Sequence, residues 1–269
     1  MKPDSIADLR EAYGRYVDGY RDAGGALPDM MQLKLTHTEK VVESAIAIAK
    51  GEGFDARTSL ACEAAALLHD TGRYEQLRVY NTFRDSDSVD HAVFSHDIVE
   101  KRGWLDGWTD RDAILDAVLY HNRRDIPADV AEGLPLACAR TVRDADKLDI
   151  FRVLEDRVRN TQWRTDSRAF WNLSVDAPPN PEVVAAIRAR RPVEYQQITC
   201  LADFVLIQIG WMVSGLEYAT SRRLCAERGH LEFRRGFLAE IAPGSDADGL
   251  CDLAAGVLAG ARGGETARP

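Results

Sequence analysis

The sequence has no run approaching the roughly 18 uncharged apolar residues of a membrane span, and its opening Met1-Lys2-Pro3-Asp4 lacks the apolar stretch of a signal peptide. Both absences point to the cytoplasm. Cysteine is sparse and odd in number: Cys62, Cys138, Cys200, Cys225 and Cys251 are scattered, mostly among apolar residues. That pattern excludes a disulfide framework or a zinc knuckle and reads as reduced, buried thiols. Positive charge is in deficit, with a net charge of −9, which argues against nucleic acid or an anionic membrane as partner. A small phosphorylated ligand held by a local group of arginines stays open. There is no internal repeat or low-complexity segment, and few runs alternate with period two.

What the chain has is helical periodicity. Helices are expected at about Ser5–Asp22, Thr36–Lys50, Ala56–Asp70, Val89–Arg102, Asp110–Arg123, Pro135–Lys147 and Leu148–Asn160. After a proline-rich break at Ser167–Pro181 come Pro181–Arg190, Gln196–Val213, Gly215–Gly229 and two shorter helices. Thr36 with Glu39 reads as a capping box that starts the second helix. The polar stretch Thr71–Ser88 reads as a loop or short helical turns, with Tyr74–Asp85 as a lid. The fold class is all-α: one domain over residues 1–262, with a core at about 35–151, a C-terminal helical extension at about 181–262 and a disordered tail at 263–269. The stripe Trp211, Met212, Leu216 and Tyr218 fits either core or a homodimer face.

Ala64-Ala65-Ala66-Leu67-Leu68-His69-Asp70-Thr71-Gly72-Arg73 is an apolar helix ending in an adjacent imidazole and carboxylate. Such a pair suits a divalent metal. On its own such a pair is more often a hydrogen-bonded helix end than a metal site. The remaining histidines decide between the two. Taken with their neighbours three and four residues away, His37 lies with Val41, His69 with Ala65 and Cys62, His91 with Phe94 and Ile98, His121 with Val118 and Ala117, and Asp146 with Val142 and Ala139. Each sits on a stripe that faces the core. Burying each polar group separately costs on the order of a few kcal/mol, whereas one metal centre satisfies all of them. Asp144 competes with Asp146 but points to a different helix face. His96 reads as partly exposed, and His230 as a turn residue.

His37, His69-Asp70 and Arg143-Asp144-Ala145-Asp146-Lys147-Leu148-Asp149 together resemble the HD-domain superfamily of metal-dependent phosphohydrolases, over about Leu35–Phe151. The segments Arg73–His91 and Asp203–Tyr218 resemble one subgroup of it. The resemblance implies an all-α fold and one or two divalent ions (Mn, Mg, Ni, Co, Zn or Fe). It implies His37, His69, Asp70 and Asp146 as ligands of the first ion, and His91 and His121 with a bridging Asp70 as ligands of a second. The chain has His121-Asn122 where the HD-GYP branch has paired histidines and lacks a Gly-Tyr-Pro motif, so cyclic-dinucleotide cleavage is not implied.

Catalytic roles fall to Asp70, Arg73 and Lys147, and substrate phosphate to Arg73, Arg78, Arg84, Arg123 and Arg124, whose planar donors suit it. Asp90, Asp144 and Asp149 are candidates to orient ligand imidazoles. The expected activity is hydrolysis of a phosphomonoester or phosphoanhydride of a nucleotide or related small metabolite. A di-iron oxygenase and a non-catalytic metal- and ligand-binding regulator are the alternatives.

Overall fold

The computed structural model describes residues 4–161, 163–164, 170 and 173–262. The chain is all-α: no strand forms among the described residues, and a single parallel bridge joins Ser174 to Cys200. No described helix is long and apolar enough to cross a membrane. The chain divides into two compact units, Met1–Asp149 and Ile150–Pro269.

The first unit holds α1 (Ile6–Asp18), α2 (Asp29–Gly51), α3 (Ala56–Leu68), α4 (Gly72–Tyr80), α5 (His91–Lys101), α6 (Arg111–Tyr120) and the first half of α7 (Leu134–Asn160). Short polar side chains start several of them. Ser5 Oγ accepts from the Asp8 amide, Asp55 from that of Thr58, and Asp90 from those of Ala92 and Val93. The central element is α3, packed on α1, α2 and α6. Its Ala64-Ala65-Ala66 run is fully buried, and these small side chains let neighbouring helices approach from several sides. Val41, Ala45 and Ile48 of α2 and Ile114, Ala117 and Val118 of α6 complete the core around it.

The second unit holds the rest of α7, then α8 (Pro181–Arg188), α9 (Leu201–Gly210), α10 (Ala219–Glu227), α11 (His230–Ile241) and α12 (Ala247–Arg262). The apolar α9, continued by a π-helical turn at Trp211–Gly215, packs against α8, α11 and α12. Met212 and Leu216 are buried in this unit.

Three expectations are corrected and one is narrowed. α2 starts at Asp29, directly after Pro28, so the Thr36/Glu39 pair lies inside the helix and caps nothing. Nothing between Asp29 and Lys50 breaks a helix, and Pro28 supplies the start signal. Of the two readings of the stretch after His69-Asp70, the helical one forms: α4, ended by Asn81 in the left-handed region at φ 54°, then a 3₁₀ turn at Asp85–Asp87. Residues 134–160 form one helix, not two, because no glycine or proline follows Pro135. His230 is no turn residue; it opens α11 and is buried. The expected tail at 263–269 and part of the 167–181 break lie outside the described residues.

Candidate metal centre

α2 carries Lys34 and His37 one turn apart. α3 ends at Leu68 and delivers His69 and Asp70 immediately beyond it. α5 begins at His91, α6 is closed by His121, and α7 supplies Asp146 and Asp149. All belong to the first unit.

Each imidazole is fixed through its Nδ1. His69 Nδ1 lies 2.8 Å from the Ala66 carbonyl and His121 Nδ1 2.7 Å from that of Val118. These bonds also satisfy carbonyls that a helix end leaves open. His37 Nδ1 lies 2.7 Å from Asp149 Oδ2, and His91 Nδ1 2.5 Å from Asp85 Oδ2. With an oxygen acceptor at every Nδ1, a neutral ring keeps its proton there and turns the lone pair of Nε2 inward; the His37 Nε2 also meets a carboxylate, Asp146.

Those four Nε2 atoms converge. His37 and His69 are 3.4 Å apart at Nε2, and His91 and His121 3.0 Å. Asp146 Oδ1 lies 3.1 Å from His37 Nε2 and 3.9 Å from His69 Nε2. Asp70 faces both pairs. Its Oδ2 is 3.5 Å from His37 and 3.6 Å from His69, while its Oδ1 is 3.6 Å from His91 and 3.8 Å from His121. Lone pairs and carboxylates aimed at one another repel unless a cation sits among them, so this donor set fits divalent metal on its chemistry alone. His37/His69/Asp70 and Asp70/His91/His121 each gather their ligand atoms within 4.8 Å.

The electrostatics agree. Burial penalises charge on Asp70, but Lys34, His69, Arg73 and His91 outweigh it and hold the carboxyl well below the usual range. Asp146 is likewise held down, burial being overcome by its hydrogen bond to His37. Burial lowers His69, and burial with the neighbouring His91 and His69 drives His121 down to about 3. His37 goes the other way. Burial and Lys34 oppose its charge, yet the bonds to Asp146 and Asp149 raise it.

All six expected ligands, His37, His69, Asp70, His91, His121 and Asp146, are thus brought together. Of the five expected arginines, Arg73 alone joins them. Arg73 borders Asp70, its Nε 3.5 Å from Oδ1, while its Nη1 donates to Gln76, the Phe83 carbonyl and Asp85. Arg78 pairs with Glu75, Arg84 with Asp87, Arg123 with Asp90 and Arg124 with Asp125, the four arginine side chains being exposed. Lys147 is half-buried on α7 beside Asp146, and Asp144 is buried. Of the expected orienting carboxylates, Asp149 holds His37, whereas Asp90 caps α5 and accepts from Asn122 and Arg123. His96 is partly exposed and pairs with Asp97.

Two residues escaped the sequence reading. Asp85, not Asp90, holds His91. Lys34 donates to Asp70 Oδ2 at 2.7 Å. The expected helix start at Thr36 left Lys34 outside the helix; with α2 begun at Asp29 it lies one turn before His37. The lid expectation is also altered, because the turn is tied down. Gln76 Nε2 donates to Asp85, Ser88 and the Val89 carbonyl.

A model of the HD-domain family matches residues 35–150. The chain carries an HD domain over that stretch. HD domains are in general metal-dependent hydrolases, and all six converging ligand candidates fall inside the matched residues. No curated protein and no solved structure matches the chain significantly.

Proposed function

We propose that this HD domain is a phosphohydrolase that cleaves a phosphomonoester or phosphoanhydride of a nucleotide or related small metabolite. The carrying observation is the division of Asp70 between two histidine pairs, Oδ2 toward His37 and His69 and Oδ1 toward His91 and His121. On this reading His37, His69, Asp70 and Asp146 hold one divalent ion, and His91 and His121 share Asp70 with a second. Bound ions of this kind lower the pKa of water and polarise a phosphoryl oxygen. The chain's own residues set the stage: Asp149 and Asp85 keep the His37 and His91 rings in the ligating tautomer, and Asp70 stays ionised. Arg73 and Lys34 present positive charge beside it. The reading takes a small phosphorylated substrate in the cytoplasm, and neither nucleic acid nor membrane.

One observation favours a second reading. Four of the five arginines expected at the site are paired with surface carboxylates, which thins the charge available to phosphate. Four imidazoles and two carboxylates equally suit two irons that activate dioxygen.

The test is elemental analysis of protein purified without added metal, followed by two assays. Manganese, magnesium, nickel, cobalt or zinc, with phosphate release from a nucleotide panel, supports the hydrolase. Two irons per chain with substrate-dependent oxygen uptake replace it with the oxygenase. Bound metal with neither activity leaves a regulator.

A further inference from the structure

Lys34 does not fit a purely structural role. Its ammonium donates to Asp70 Oδ2, the oxygen that faces His37 and His69. A divalent ion held by those histidines needs the same oxygen. An ammonium and a dication cannot share one carboxylate oxygen without strong like-charge repulsion, so one must yield. Lysine is equipped to yield, since its charge rides on a flexible four-carbon stem. The Lys34 side chain is 16% exposed against 3% for Asp70, so it keeps some access to solvent where Asp70 has almost none.

Phe83 marks where the Lys34 tip would go. The Lys34 Nζ lies 5.5 Å from the centroid of the Phe83 ring, and the Arg73 guanidinium carbon 5.6 Å from it. One aromatic ring thus gathers two cations. Lys34 pairs with no carboxylate other than Asp70 among the described residues. The Phe83 segment is itself anchored, through its carbonyl to Arg73 and through Asp85 to Arg73, Gln76 and His91.

We propose that Lys34 exchanges partners: it neutralises Asp70 in the metal-free protein, and once a divalent ion takes Asp70 it turns to bind an anionic oxygen of the substrate beside Arg73 and Phe83. Lys34 is then both a competitor of metal and half of an anion clamp. Metal binds before the anion. The choice of phosphate as that anion rests on the phosphohydrolase reading.

The experiment is calorimetric titration of the full chain with Mn²⁺ alone, and then of the Mn²⁺-loaded chain with inorganic phosphate. The variants are Lys34→Met and Lys34→Gln, each checked for folding by circular dichroism. The expected results have opposite signs. The variants bind Mn²⁺ more tightly than wild type, because the competitor is gone. Once loaded, they bind phosphate at least about tenfold more weakly, the usual loss for one charged hydrogen bond. Unchanged or weaker Mn²⁺ binding overturns the proposal, because a lysine that merely braces Asp70 gives that result. Unchanged phosphate binding overturns it as well. A check without any variant stands beside these: wild type should bind phosphate measurably only after Mn²⁺ loading, and equal binding before and after refutes the exchange. These binding readouts do not depend on turnover. Absence of phosphate release from esters would sink the hydrolase reading and leave this result intact.

Discussion

Four imidazoles that share one protonation pattern are the residue-scale signature of the centre, and the groups that impose it differ in how visible they are in the sequence. Asp149 was legible, because it follows Asp146 by three residues on one helix face. Asp85 was not: it reaches His91 from a 3₁₀ turn six residues upstream, and periodicity does not reveal where a turn points a side chain. Asp90 stands next to His91 in the sequence, yet its carboxylate is spent on the start of α5. The two aspartates therefore separate cleanly. Asp85→Ala should lower metal affinity at the His91/His121 pair by about 10- to 100-fold, the usual loss of a group that orients a ligand. Asp90→Ala should cost about 1 kcal/mol of stability as a lost helix cap and leave metal content nearly unchanged. Metal-to-protein ratios after dialysis against limiting Mn²⁺, set beside thermal unfolding, check both.

Among the elements, α3, α5 and α6 were legible because each buries an apolar stripe, while α4 was hidden. Its buried positions are Gly72, Tyr74 and Gln76, so no apolar period announces it. Tyr74 packs on Tyr16 and Tyr20, its hydroxyl 3.1 Å from that of Tyr13. Gly72 is what lets α4 and α5 meet. Its amide donates to Ser95 Oγ at 2.8 Å, and a Cβ there would stand 2.7 Å from the Ser95 nitrogen and 3.0 Å from the His91 carbonyl oxygen. Both are backbone atoms and cannot rotate away. Gly72→Ala should therefore cost about 1–3 kcal/mol, a fall in Tm of several degrees. Because the strain falls on the turn that carries His91, metal retention should drop with it. Gly14, inside α1, has nothing within 4 Å of its would-be Cβ. Gly14→Ala should instead raise stability by about 0.5–1 kcal/mol. Scanning calorimetry of the two variants reads opposite signs if close approach, rather than helix propensity, governs Gly72.

At the scale of the whole molecule, a net charge of −9 repels small anions in general. Charges beyond about 8 Å are screened at physiological salt, so recognition of an anion falls to cations within the first unit such as Lys34 and Arg73. The second unit has its own concentration of buried charge, which composition hid. Arg234 is half of an Arg-Arg pair in the sequence, yet it is fully buried. It donates to Glu155 Oε1 at 2.9 Å, to Gln208, and to the Phe151 and His230 carbonyls. His230 Nδ1 lies 2.6 Å from the same Glu155 oxygen. Burial opposes charge on Glu155, but His230 and Arg234 hold its carboxyl below the ordinary range. Burial lowers His230 against the pull of Glu155. Both shifts act in one direction. A lowered carboxyl stabilises the fold in full above its unfolded pKa and loses that contribution as pH falls from there through its lower folded pKa. A lowered histidine takes its proton more readily in the unfolded chain, so stability again falls as pH drops through about 6.5. The second unit should therefore weaken steadily from pH 7 toward pH 4. Glu155→Gln leaves Arg234 buried among neutral acceptors and should cost about 3–5 kcal/mol at pH 7. The acid dependence should also change shape: between pH 7 and pH 5 it stays at least as steep, since His230 without Glu155 resists its proton further in the fold, whereas the loss below about pH 4.5 that the carboxyl carries disappears. Urea unfolding followed by tryptophan fluorescence at pH 7, 5 and 4 measures both effects; a shallower slope between pH 7 and pH 5 in the variant would move the acid sensitivity elsewhere in the chain.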